Sequence, residues 1–236
     1  VRIQSLRLPA GVTDVYVVGT GPSLRCLDLG YLGGKLTIGL NQAWKHFWPS
    51  YSITVHPELL ADYRAAGHKA PPTRWVVKKK PPRADLTLDD PDHYVFGTSY
   101  EIDAVRTRPA DTLYLGEGVQ TCAMDLAARM GAKNVILVGC DGGTLGGDFH
   151  AHDQHVRWLG MKPADQYALY RETTAAVRAR LRPLGVNVMT LSPFVGVTAA
   201  EEDYARLTAE LKLAKLPPPV DTSGYIRDPS TIRRGT

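Results

Sequence analysis

The sequence predicts an α/β fold, a mostly parallel sheet with helices on both faces and a small lid or insertion. Three observations carry this. Short β-branched and aliphatic runs stop abruptly at glycine, as in Asp14 to Gly19 and Asn134 to Gly139. Between such runs lie stretches with apolar residues three and four apart, clearest from Val119 to Met130. With 236 residues, 44% hydrophobic and 22% charged, the chain is long enough to bury one full core.

Asp14 to Gly19 reads as a buried parallel strand, after which Pro22 suits a helix start. Leu36 to Leu40 and Tyr51 to Val55 are the next two strands. Pro57 then opens a helix through Leu59, Leu60 and Tyr63, and Arg74 to Val77 is a fourth strand. Residues 78–111 are rich in Pro, Asp and Arg with little periodicity, and read as loop with short elements, a lid or small insertion. Thr112 to Leu115 restores the strand pattern. The helix after it puts Val119, Cys122, Ala123, Leu126, Ala127 and Met130 on one face, and Gly131 is placed to end it. Asn134 to Gly139 is a further strand, followed by a glycine-rich stretch to Gly147. A long helix is expected from Ala164 to Arg182, with Tyr167, Tyr170, Thr174, Val177 and Leu181 facing inward. Val186 to Leu191 is the last strand, and Ala199 to Leu213 reads as helix. The expected organisation is one domain over 1–215 and an extended tail over 216–236, opened by Leu216-Pro217-Pro218-Pro219.

Bulk composition narrows the setting. The net charge of +4 is compatible with a phosphate-bearing substrate without demanding one. No run approaches the roughly 20 apolar residues of a membrane span, so none is expected. Val1 to Ser5 has no apolar signal-peptide core. Cys26, Cys122 and Cys140 are scattered and odd in number, which points to the cytoplasm. The dense basic run Lys78-Lys79-Lys80-Pro81-Pro82-Arg83 reads first as a solvated loop.

In a parallel sheet ligands bind beyond the carboxyl ends of the strands. The segments expected there are Gly19 to Ser23, Asn41-Gln42, His56-Pro57-Glu58, Gly116-Glu117-Gly118, Cys140-Asp141-Gly142-Gly143 and Ser192-Pro193. They are polar and glycine-rich, and are expected to form one site. In Gly19-Thr20-Gly21-Pro22-Ser23-Leu24, the glycines permit close backbone approach, and the Ser23 hydroxyl with first-turn N–H groups favours an anion. A bare strand-to-helix turn fits the spacing equally well. The string is neither the dinucleotide GxGxxG, since Leu24 stands at the third glycine, nor a Walker A loop. Asn41 suits either base or ribose recognition or a helix N-cap. His150, His152 and His155 lie within six residues and suit a general base, a zinc site with Asp141 or Asp153, or an exposed polar loop. Asp141 suits a ribose acceptor, a metal ligand, a histidine orienter or a turn former, and Cys140 a small buried residue.

The ordered set resembles the bacterial sialyltransferases of glycosyltransferase family forty-two, and the MptE-like (6-hydroxymethylpterin pyrophosphokinase-like) Rossmann superfamily, which includes many bacteriophage proteins. Gly-Thr-Gly-Pro-Ser-Leu is similar to the sialyltransferase Gly-Asn-Gly-Pro-Ser-Leu. Gly39-Leu40-Asn41-Gln42 is similar to their Cys-Asn-Gln, and Gly116 to Ala123 to their Ser-Gly-Val-Tyr-Met-Cys-Ala. Gly131 to Asp141 is similar to their Gly-Tyr-Lys-Glu-Ile-Tyr-Leu-Ser-Gly-Ile-Asp. The coverage is residues 14–195 in loosely joined blocks. Three departures stand out: Thr20 for Asn, Glu117 for Ser, and Gly142-Gly143 where that family carries tyrosines assisting the leaving phosphate.

The resemblance implies a Rossmann-like, single-domain GT-A-like enzyme that moves a sugar from a nucleotide-sugar to a hydroxyl acceptor. It implies donor binding by Gly19, Thr20, Gly21, Pro22, Ser23, Asn41, Gln42, Glu117, Gly118, Asp141, Gly142 and Gly143. The general base would be His150, His152 or His155, with Asp141 beside it in the catalytic set. No metal or other cofactor is implied beyond the donor itself. Arg157 or Lys162 would offset charge on the departing phosphate. The acceptor is a saccharide or, in a phage enzyme, a hydroxymethylated DNA base, with Lys78 to Arg83 and the Arg-containing tail on its phosphates. The alternatives are an ATP- and Mg²⁺-dependent pyrophosphotransferase with the metal at Asp141, and a non-catalytic nucleotide-binding module. Homo-oligomerisation stays open.

Overall fold

The computed structural model describes residues 3–65, 74–78, 93–102, 109–142, 144–145, 151, 163–191 and 225–226. An eight-stranded sheet forms the centre. Its strands are β1 (Asp14–Val18), β2 (Thr37–Leu40), β3 (Tyr51–Thr54), β4 (Arg74–Lys78), β5 (His93–Ser99), β6 (Thr112–Tyr114), β7 (Asn134–Val138) and β9 (Asn187–Leu191). A short strand, β8 (Thr144–Leu145), lies outside that sheet and pairs antiparallel with β10 (Tyr225–Ile226). The main order is β6-β5-β4-β3-β2-β1-β7-β9, and every neighbouring pair is parallel.

β1 sits between β2 and β7, with Val17 opposite both Ile38 and Leu137. From β1 the chain steps outward through β2 to β6, then returns to place β7 on the other side of β1. The β1/β7 boundary is therefore the topological switch point, the place in a parallel sheet beside which ligands generally bind.

Side chains alternate across the sheet as the pleat requires. Val15 and Val17, with Ile38, Ile53, Val76, Phe96, Leu113, Val135 and Leu137, are buried beneath α2 (Val119–Met130) and α3 (Pro163–Leu181). The opposite face has two smaller clusters. Tyr16, Val18, Ile136 and Val138 pack with Leu24, Leu27 and Leu32 of two 3-10 turns. Trp75 and Val77 pack with Trp44, and with Leu60 and Tyr63 of α1 (Glu58–Ala65). The sheet is covered on both sides, as expected, and no helix among the described residues is long and apolar enough to cross a membrane.

The α2 stripe is buried at all six positions that the spacing marks. Gly131 ends the helix in the left-handed region at φ 105°, its N–H donating to the Ala127 and Ala128 carbonyls. Gly131→Ala should cost about 1 kcal/mol in urea unfolding, since space is free there and only the left-handed backbone resists a Cβ. Asp125, buried on α2, accepts from the Tyr114 N–H on the outer edge of β6 (2.8 Å) and from Arg129 Nε (3.2 Å). An end strand that presents free N–H groups invites foreign pairing, and the helix covers it.

β5 comes out of the stretch read as loop with short elements. His93-Tyr94-Val95-Phe96-Gly97-Thr98-Ser99 has one strongly apolar pair, yet it joins β4 to β6 inside the sheet. Among Tyr94 to Ser99 only Phe96 is deeply buried, so the run lacks the hydrophobic density of a central strand. A second difference follows β1. The turn after it is a 3-10 helix, Pro22–Cys26, and not the expected α-helix. Residues 79–92, 103–108 and 192–224 lie outside the described residues, and with them the expected helix at Ala199 to Leu213 and the basic run after Lys78.

Candidate functional site

The loop after β1 is stitched to the loop after β7. Gly19 N–H donates to the Val138 carbonyl (2.7 Å) and Gly21 N–H to the Gly139 carbonyl (2.8 Å). Ser23 N–H donates to Asp141 Oδ2 (2.9 Å), and Ser23 Oγ donates to Asp141 Oδ1 (2.6 Å). Ser23 is fully buried and Asp141 nearly so. The anion that the turn at Pro22 holds is thus the chain's own carboxylate, supplied 118 residues away. That changes the reading of the first loop. Its N–H groups at positions 19, 21 and 23 are engaged by the neighbouring strand's loop and do not present a ready-made phosphate cradle.

The same contact accounts for the two glycines. A Cβ on Gly19 would stand 2.3 Å from the Gly139 carbonyl oxygen, and one on Gly21 2.3 Å from Asp141 Oδ2. Two backbones approach here too closely for side chains. Cys140 lies in the seam, with Sγ against the Val17 and Val138 carbonyls (3.8 and 3.6 Å). Burial, and after it the Asp141 carboxylate, push its thiol well above the usual range, so it is no thiolate at neutral pH. It is the small packing residue that its flanks suggest.

Asn41, directly after β2, is left-handed at φ 49°, alone among the described non-glycine residues. Its N–H donates to the Ile53 carbonyl (2.9 Å) and its Oδ1 accepts from Thr54 Oγ1 (3.0 Å). It is not an N-cap: Gln42 holds that position, before the 3-10 turn Ala43–Lys45. A non-glycine residue in this region stores strain of the kind found at ligand sites. His56 and Glu58 approach one another at 3.4 Å, both half exposed.

Gly116, Glu117 and Gly118 follow β6 and lead into α2, where Gly118 is the N-cap residue. One stretch of α3 joins this loop to the loop after β7. Thr173 packs where a Cβ on Gly116 would lie, and the Tyr170 ring at 3.2 Å from one on Gly118. Arg171 Nη1 donates to the Gly142 carbonyl (2.8 Å). Gly142 itself turns at φ 58°. The loops after β1 and β7 thus meet directly, and α3 touches both the loop after β6 and the loop after β7.

His150, His152, His155 and Gly143 lie outside the described residues, as do Arg157, Lys162, Ser192 and Pro193. The residue between His150 and His152 is described. Ala151 N–H donates to the Thr20 carbonyl (2.8 Å), and the Ala151 carbonyl accepts from Arg25 Nε (3.0 Å). Ala151 is therefore anchored on the first loop. Among the described residues no three His, Cys, Asp or Glu side chains gather as a metal site.

Sequence reasoning missed Arg25, Thr54 and Arg171, and placed Tyr170 only on the inward face of its helix. Arg171 and Tyr170 sit one turn past the inward-facing Tyr167, so helical spacing carried their signal. Arg25 carries none, because its partner Ala151 comes from a distant segment, and Thr54 carries none for its bond to Asn41 across the neighbouring strand. His46 was also missed. Burial first, then Arg25 and Lys45, hold its pKa below the ordinary value, which marks a positively charged neighbourhood beside the first loop.

No family model matches the sequence, and no curated protein matches it. Solved structures do. The monofunctional alpha-2,3-sialyltransferase Cst-I from Campylobacter jejuni aligns with TM-score 0.53 and 15% identity, covering 84% of this chain and 81% of its own. The sialyltransferase CstII from Campylobacter jejuni, solved with the substrate analogue CMP-3FNeuAc, gives TM-score 0.49 and 15% identity over 92% and 94%. At this identity the likeness to Cst-I establishes a shared fold.

Proposed function

We propose that this protein is a nucleotide-sugar-dependent glycosyltransferase that moves a sugar to a hydroxyl acceptor. The observation that carries the reading is the anchoring of Ala151, the sequence neighbour of His150 and His152, on Thr20 of the loop after β1. The fold shared with a sialyltransferase supports it, as does the ordered motif resemblance. In this reading the donor lies over Thr20, Asn41, Gln42, Glu117, Gly118, Gly142 and Gly143. Gly19, Gly21, Pro22, Ser23 and Asp141 form the floor that holds those positions in place.

His150, His152 or His155 takes the proton from the acceptor hydroxyl as its oxygen bonds to the anomeric carbon. The bond from that carbon to the nucleotide phosphate breaks, and the phosphate leaves with the electron pair. Arg25, Lys45 and Arg171 supply positive charge near the switch point to favour the anionic donor and its leaving group. The acceptor is a saccharide or a hydroxymethylated base.

A Mg²⁺-dependent pyrophosphotransfer at Asp141 fits these residues poorly. Both carboxylate oxygens already accept from Ser23, and no second carboxylate joins them among the described residues.

Calorimetry and thermal unfolding against a panel of nucleotides and nucleotide-sugars test the reading. A cognate donor at a hundred times its dissociation constant should raise Tm by about 5 °C or more. Transfer to an acceptor should survive EDTA. If nothing in the panel binds, or a bound nucleotide maps away from Thr20 and Asn41, the proposal fails. Donor binding without transfer to any acceptor would favour a non-catalytic module.

A further inference from the structure

We propose that the chain's own C-terminal segment is a working part of this site: Tyr225–Ile226 closes on Thr144–Leu145 and positions the connection that follows Asp141. The inference rests on the nucleotide-site reading above.

Three ties hold the chain after β7. Ser23 engages Asp141 through both carboxylate oxygens. Arg171 engages the Gly142 carbonyl from α3. Two residues later the third tie is the antiparallel pairing of β8 with β10, Leu145 opposite Tyr225 and Thr144 opposite Ile226. β8 also lies against the 3-10 turn Pro22–Cys26, so the tail's strand reaches that turn through one intervening strand. The tail has no core pattern of its own, and this backbone pairing is what the described residues show it doing.

The energetics suit a reversible tie. A two-stranded pairing without a third strand is marginal in water. It can open while the eight-stranded sheet stays intact, because local and global stability are separate. If the closed form binds nucleotide better, nucleotide must in turn favour closure by the same factor. The tail then couples its own docking to occupancy of the site. Its residues act through the β7–β8 connection and are positioning residues.

Two variants test this in the full chain and in a shortened one. Tyr225→Pro with Ile226→Pro removes both N–H groups of β10 and fixes its φ angles. Deletion of residues 221–236 removes β10 altogether. Each should weaken nucleotide binding about tenfold, a coupling of ordinary size. Circular dichroism and the unfolding midpoint should stay near those of the parent, because β10 lies outside the main sheet. A peptide of residues 219–236 should restore affinity to the deletion variant. Saturating nucleotide should slow proteolysis of the tail by a similar factor. A cysteine pair made by Thr144→Cys and Ile226→Cys should cross-link under mild oxidation, since opposed positions bring Cβ atoms within about 5.5 Å.

A parent protein that binds no nucleotide defeats the nucleotide-site reading itself. A parent that binds, with the proline variant binding equally well, overturns the positioning role. Failure of the cysteine pair to cross-link overturns the pairing whatever the nucleotide result.

Discussion

Replacing the histidine proposed as general base by Asn should lower turnover by about 10²–10⁴-fold while leaving donor affinity within about twofold of the parent. His150, His152 and His155 are the candidates, changed one at a time. Two should be nearly silent and one should not. A general base acts on the acceptor proton in the transition state, so its loss appears in kcat and not in donor binding. The rate of the parent should fall at low pH as that imidazole becomes protonated, and the inactive variant should lose this limb of the profile. If all three variants keep parental turnover, the base assignment is wrong. If one loses donor binding along with turnover, that histidine holds the donor and the base must be sought elsewhere.

The second large effect is on stability. Gly19→Ala should cost about 3 kcal/mol or more, enough to leave much of the protein unfolded or aggregated at 37 °C. The methyl would meet the Gly139 carbonyl oxygen at 2.3 Å and its carbon at 2.9 Å. Both are backbone atoms in the loop of an adjacent strand, so no side chain can swing aside. Gly21→Ala should act similarly, with Asp141 Oδ2 at 2.3 Å and the Gly139 carbonyl oxygen at 2.7 Å. Gly118→Ala is the control. Its neighbour is the Tyr170 ring at 3.2 Å, which a small side-chain shift relieves, so the cost should stay near 1 kcal/mol or below. Equal costs at Gly19 and Gly118 in urea unfolding would show that the seam between the loops is looser than these distances require.

Asp141→Asn probes the same seam without adding bulk. An amide offers one oxygen where Ser23 supplies two donors, so one buried donor must face an NH₂ group. About 2 kcal/mol of stability should be lost. The effect on donor affinity should be indirect, through the altered position of Gly142.

The sequence determined by itself those features that repeat locally. The aliphatic runs of β1 and β7 and the stripe of α2 are periodic, and periodicity survives without knowledge of partners. The order of polar, glycine-rich segments after the strands was also legible, and of these the loops after β1 and β7 are in direct contact. Features set by pairing between distant segments were not legible. Strand order alone decides that the switch point lies between β1 and β7. β5 is a strand because β4 and β6 flank it, with little apolar signal of its own. The tail's strand exists only through Thr144–Leu145. The first loop shows the limit most sharply. Its glycines and Ser23 carry the local pattern of an anion site, and tertiary structure supplies the anion as Asp141. A backbone N–H aimed at a negative group looks the same in sequence whether that group is a ligand's phosphate or a carboxylate folded in from far along the chain. Only the path of the chain through space distinguishes them, because a buried donor is satisfied by whichever acceptor the fold delivers.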